Sequence, residues 1–134
     1  MPRTIEQGLT FRATPERLYR LYLSRREHAV ACGGWGKAKI QAKIGGRMEM
    51  APHITGKFLL LVPGRLIVQT WRGSDWRPSD LDSVLVLAFS RARGGCRLLM
   101  IHAHVSDAHA KSITKGWPTY YWRPWKKYLA KRRS

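Results

Sequence analysis

One stretch near the end of the chain, GWPTYYWRPWKKYLAKRR (Gly116 to Arg133), restricts the possible folds more than any other. On a helix of about 3.6 residues per turn, Trp117, Tyr121, Trp125, Tyr128 and Leu129 share one side, while Arg123, Lys126, Lys127 and Lys131 share the other. A helix divided in this way needs a broad partner to cover its aromatic face. A platform for single-stranded nucleic acid would instead leave its rings exposed beside the basic groups. The pattern therefore predicts an inward aromatic face, with Tyr120 and Trp122 as its exposed margins. Pro118 suits a helix start, and Pro124 removes a hydrogen bond and predicts a kink or restart near Arg123.

The segments upstream supply the partner. IEQGLTF alternates well enough for a first strand, and ATPERLYRLYLS then starts a helix capped by Thr14 with Pro15 at its first position. SRRE at Ser24 to Glu27 is a capping-box pattern that predicts a second short helix through Ala31, ended by the glycines at 33, 34 and 36. From Lys37 to Val105 the signals are those of six strands, with turns expected at Gly45–Gly46, at Thr55 to Lys57, at Pro63–Gly64 and at Arg93 to Gly95. The order predicts an α+β domain: a curled antiparallel sheet of about seven strands around a long C-terminal helix, with two short helices after the first strand. At 134 residues the chain is one domain, residues 1–134.

The net charge of +17 gives the domain a strong field toward polyanions and acidic proteins. The cations are spread over both halves of the chain rather than gathered in an arm, so the charge alone specifies no partner. No apolar run reaches the ~20 residues of a membrane-spanning helix. With no secretory-signal pattern and only Cys32 and Cys96 as cysteines, a cytoplasmic location is expected.

FRATPERLY (Phe11 to Tyr19), GGRMEM (Gly45 to Met50), ITGKFLLLVPGRLIVQTWR (Ile54 to Arg72), DLDSVLVLAFS (Asp80 to Ser90) and GWPTYYWRPWKKYL (Gly116 to Leu129) run in one order across nearly the whole chain. In that combination they resemble the START-related SRPBCC superfamily of helix-grip domains, in the branch similar to the activator of the heat-shock-protein-90 ATPase. The resemblance implies a pocket between the sheet and the last helix, in which relatives bind apolar molecules. It does not choose between ligand carriage, chaperone assistance and catalysis.

Strand alternation together with this resemblance selects Met48, Met50, Trp71, Met100, His102 and Tyr121 as the lining of such a pocket. The expected ligand is an apolar or amphipathic small molecule, with no cofactor. Lys126, Lys127, Lys131, Arg132 and Arg133 form the alternative site, for a chaperone, another acidic protein or nonspecific polyanion contact. Cations at a helix C-terminus are also stabilised by the helix dipole with no partner at all. His102 and His104 lie two apart on a strand and, with His109, offer a spacing that could hold zinc, but no acidic or cysteine ligand completes the set. Asp80 and Asp82 are the only close carboxylate pair in a strand context, and their loop position favours simple solvation. No nucleophile triad, phosphate loop or dinucleotide fingerprint occurs. The resemblance, together with the mixed methionine, histidine and tryptophan edge of the implied pocket, favours a binding module over an interaction domain and places a cyclase- or hydrolase-like enzyme third.

Overall fold

The computed structural model describes residues 1–132, with the side chain of Arg132 outside the description. Strand β1 (Arg3–Phe11) leads into α1 (Pro15–Leu23) and α2 (Arg25–Ala31). Six strands follow: β2 (Lys37–Ile40), β3 (Arg47–Ala51), β4 (Ile54–Val62), β5 (Leu66–Gly73), β6 (Ser83–Ala92) and β7 (Gly95–Val105). The chain ends in α3 (Asp107–Trp117), a π-turn over Pro118–Trp122, and α4 (Arg123–Arg132). The sheet is antiparallel in the order β1-β7-β6-β5-β4-β3-β2, so the two short helices carry the chain from one edge strand to the other.

Local chemistry sets the helix starts. The Thr14 side chain accepts from Arg17 N and Ser24 Oγ accepts from Glu27 N, as both caps require. Glu27 then joins three helices: Arg17 donates to both its carboxylate oxygens (2.9 and 2.6 Å) and Tyr128 Oη donates to Oε2 (2.6 Å). The hydrogen bonds from Arg17, assisted by Tyr128, hold the Glu27 carboxyl below its ordinary range despite partial burial.

Two β-bulges bend the sheet. An extra residue, Leu59, sits between the pairs Phe58↔Gln69 and Leu60↔Val68, which leaves Leu59 and Leu60 both facing outward. A second bulge falls in β7 between His102, opposite Ile5, and Val105, opposite Arg3. His104 lies in it with φ 61° and an exposed side chain, so it does not share a face with His102 as simple alternation predicts. The turn expected at Thr55 to Lys57 is also absent, because those residues pair within β4 and the chain reverses at Pro52–His53. Gly56 serves another purpose: a Cβ there would collide with the Thr70 carbonyl and the Gln69 amide.

The terminal helical run departs from an ideal helix at both prolines. Pro118 opens the π-turn directly on the end of α3, and the Thr114 carbonyl it leaves without a backbone donor accepts from Gln7 Nε2 (2.9 Å). Pro124 leaves the Tyr120 carbonyl free, which accepts from Trp35 Nε1 (3.1 Å). Between the prolines the helix widens, and Arg123 N donates to the Pro118 carbonyl five residues back. Trp122, five residues past Trp117, would stand about 140° around a regular α-helix. The π-turn instead stacks it on Trp117, with centroids 5.2 Å apart and planes at 16°, and its Nε1 donates to Gln7 Oε1 (2.7 Å). Trp122 is therefore buried at 4% exposure, against the expected margin position, while Tyr120 is exposed at 53%.

Trp125 occupies the centre of the core at 0% exposure, against Phe11, Tyr22, Tyr121 and Trp122. Replacing so large a buried ring by a methyl group leaves a cavity the sheet cannot close. Trp125→Ala is expected to lose about 3–5 kcal/mol in urea denaturation. A variant as stable as the parent would contradict the packing of this helix.

Candidate functional site

A cleft of about 540 Å³ lies at the end of the sheet where β4 and β5 meet the terminal helix. Its walls come from five places. Trp35 enters from the α2–β2 connection and His53 from the β3–β4 turn. Ile54 and Trp71 rise from the sheet, and Ser74, Asp75 and Trp76 come from the β5–β6 loop. The helical run supplies His109, Ile113, Trp117, Tyr120 and Tyr121. Trp71, Trp117 and Tyr121 are buried at its floor, and Ser74, Asp75, His53 and Tyr120 are exposed at its mouth.

The β5–β6 loop is built to stand against this opening. Arg72 gathers it by donating to the carbonyls of Asp80 (2.7 Å) and Arg77 (2.5 Å) and to Asp82 Oδ1 (3.0 Å), with its guanidinium 5.9 Å from the Trp76 ring centroid. Trp76 stacks on His109 at 5.1 Å and 15°, and Asp80 Oδ2 lies 3.6 Å from His109 Nε2. Gly73 permits the fold-back, since a Cβ there would meet Trp76 Nε1 at 2.8 Å and Asp75 Oδ1 at 3.1 Å. Asp80 and Asp82 thus tie down the loop and do not face each other as an acid–base pair.

Of the six residues expected to line a pocket, Trp71 and Tyr121 lie on the cleft. Met48, Met50, Met100 and His102 are fully buried and do not reach it. The expected position between the last strand and the helix is filled by side chains: Trp117 Nε1 donates to His102 Nδ1 (3.2 Å), and Trp71 crosses the same imidazole with centroids 4.8 Å apart. The opening lies beside β5 and its loop, not under β7. Trp35, Trp76 and Asp75 carry no sequence signal of a site, because only the tertiary structure brings them together.

The buried histidines explain why a serine–histidine pair in this core is not a nucleophile. Ser83 Oγ donates to the Trp71 carbonyl (2.7 Å) and lies 2.8 Å from His102 Nε2. Because His102 Nδ1 accepts from Trp117, Nε2 carries the proton and donates to the serine, the reverse of general-base activation. His28 has the other tautomer: Nδ1 donates to the Tyr22 carbonyl (2.6 Å), and Nε2 accepts from Tyr121 Oη (2.8 Å). Tyr22 Oη in turn donates to Gln69 Oε1 (2.6 Å). Among the described residues no group of three or more His, Cys, Asp or Glu could hold a metal ion, and His102, His104 and His109 do not converge.

The basic residues at the chain end lie on α4. Lys126, Lys127 and Lys131 are exposed, and Lys126 Nζ sits 5.8 Å from the Phe11 ring centroid. Arg132 ends the helix and Arg133 lies outside the described residues.

Burial holds His28 down to about 4 and His102 down to about 3, so both are neutral in the folded protein at neutral pH. Unfolded histidine titrates near about 6.5, so below that value the unfolded chain binds protons that the folded one refuses. Their contribution is complete above about pH 6.5 and is lost as pH falls toward the folded values, by up to about 1.4 kcal/mol per pH unit for each histidine. Urea midpoints should therefore drop between about pH 7 and pH 5, above the range of the ordinary carboxylates. His102→Asn should remove part of that slope. A flat profile in the parent would contradict neutral buried imidazoles.

Comparison with known proteins places this architecture. The human protein described as Activator of 90 kDa heat shock protein ATPase homolog 1 is 29% identical over 113 residues, covering 84% of this chain and 32% of its own length. An uncharacterised protein of Schizosaccharomyces pombe is 30% identical over 123 residues, covering 90% of this chain and 35% of its own. The chain thus spans about a third of the length of these curated relatives. In structure, the chain is similar to the crystal structure of an HSP90 activator from Plasmodium falciparum, with a TM-score of 0.81, 20% identity and coverage of 97% and 96% of the two chains. That likeness shows the helix-grip fold. A family model, Activator of Hsp90 ATPase homolog 1-like protein, matches residues 12–130, and the chain belongs to that family.

Proposed function

We propose that this domain binds an apolar or amphipathic small molecule in the aromatic cleft beside β5. The supporting observation is the make-up of the wall: four tryptophans and two tyrosines on one opening, with serine, histidine and aspartate side chains only at or near the mouth. Ligand sites are typically concave and mostly apolar, with a few polar groups that fix orientation, and aromatic rings supply large contact area at small entropic cost. Burial of Trp71, Trp117 and Tyr121 preforms the floor.

The uncharged dye N-phenyl-1-naphthylamine tests this reading by its fluorescence rise in apolar surroundings. Saturable binding of one dye per chain is expected. Trp35→Ala and Tyr120→Ala, which remove partly exposed wall residues, should weaken it by about fivefold or more. No saturable signal, or equal binding by both variants, would remove the reading.

Membership of the family favours a second reading, action on a chaperone ATPase of the Hsp90 type, since named relatives are described as activators of it. The exposed Lys126 and Lys127 suit an acidic partner surface. Stimulation of a purified Hsp90 ATPase by this chain, reduced by Lys126→Glu with Lys127→Glu, is the outcome that supports it; no stimulation would sink it. If the charge serves only general polyanion contact, binding to unrelated DNA should fall steeply between low and physiological salt.

A further inference from the structure

The charge inside the cleft is opposite in sign to that of the protein. The chain carries 25 Lys and Arg against 8 Asp and Glu, yet among the described residues no Lys or Arg lines the cleft, and its one acidic wall residue is Asp75. Among the described residues every acid except Glu6 and Asp75 has a cation or a histidine within salt-bridge distance. With cations in threefold excess, an acid left unpaired beside six aromatic rings is a distinctive arrangement. The guanidinium that anchors this loop, Arg72, is committed to Asp82, two backbone carbonyls and Trp76. Of the two wall histidines, His109 is committed to Asp80 and the Trp76 ring, while His53 packs on Trp35 and accepts from Ser74 N at its carbonyl, with no ion pair to Asp75. Gly73 lets the loop fold back closely enough to place Asp75 at the mouth.

Aromatic faces attract cations through the ring quadrupole, most strongly when water is excluded, and a nearby carboxylate adds to that attraction. Neither group favours an anion. We propose that the cleft selects an amphiphilic organic cation, with its apolar body among Trp35, Trp71, Trp117 and Tyr120 and its amine or quaternary ammonium group beside Asp75. This rests on the cleft being a binding site. The general field of a +17 protein makes the opposite prediction, because it enriches anions around the surface. That field is screened over about 8 Å at physiological ionic strength, whereas direct contacts in the cleft are screened much less.

The two signs can be separated with three probes on one ring system: 2-naphthylmethyl-trimethylammonium, 2-naphthylmethanol and 2-naphthylacetate. Each competes against N-phenyl-1-naphthylamine at about 0.15 M salt. The cation is expected to bind about 5- to 30-fold tighter than the alcohol, and the carboxylate weakest of the three. Asp75→Asn should bring the cation-to-alcohol ratio to within about twofold of one; Asp75 is exposed and unpaired, and an unaltered melting temperature checks that the fold survives. Equal affinity for cation and alcohol, or a ratio insensitive to Asp75→Asn, overturns the inference while leaving the cleft as an apolar site. Tightest binding by the carboxylate overturns it in favour of the general field. If even the uncharged dye fails to bind, the underlying reading fails as well.

Discussion

Two missing backbone N–H groups organise this molecule. Pro118 and Pro124 each deprive the terminal helix of a donor, and the carbonyls left over are met by side chains from far away in sequence, Gln7 on the first strand and Trp35 after the second helix. Both bonds lie at exposed positions, where each is worth about 0.5–1.5 kcal/mol, and their effect is geometric: they tie the helix to β1 on one side and to the α2–β2 connection on the other. Gln7 does more than replace a donor: its oxygen accepts from Trp122, so one amide holds both sides of the π-turn. The widened turn directs Trp122 and Trp125 into the core and leaves Tyr120 and Tyr121 on the cleft. Core and site therefore share one origin.

Hydrophobic burial supplies most of the stability, but it does not by itself choose one arrangement. Choice comes from polar groups that cannot be satisfied in any other register. Tyr22 needs Gln69, His28 needs both the Tyr22 carbonyl and Tyr121, and His102 needs Trp117 on one nitrogen and Ser83 on the other. Each imidazole is held in a different tautomer. Sliding the helix by one residue would leave both histidines facing the wrong donor or acceptor.

Much of the architecture was legible in the sequence because its signals were local: caps at Thr14 and Ser24, alternation along the strands and the disruption at Pro124. The misplaced details have a common cause. A uniform helical period puts Trp122 at the surface, and the π-turn breaks that period. A strict strand period aligns His104 with His102, and the bulge in β7 breaks that period. Gly56 reads as a turn residue, yet its lack of a side chain serves close approach to β5. The cleft was hardest to read, because Trp35, His53, Asp75 and His109 come from separate connections and a helix whose relative positions no local pattern encodes. Alternation points Met48, Met50, Met100 and His102 inward, which the resemblance turns into an expected pocket lining. Inward in this fold means inside a filled core, and the opening lies at its end.

The two cysteines report on different parts of this construction. Cys32 closes α2 against Trp125 beneath the terminal helix, and burial pushes its thiol up to about 12; Cys96 sits on β7 opposite Phe11, where burial also raises its thiol. Alkylating reagents attack the thiolate, so neither reacts until its surroundings open. Lifting the terminal helix uncovers Cys32, whereas Cys96 lies close to Glu16 of α1 and is uncovered only when α1 leaves the sheet as well. The ratio of the two labelling rates therefore distinguishes local detachment of the gripped helix from dissolution of the sheet. The native chain thus carries its own pair of clocks, with no engineered label required.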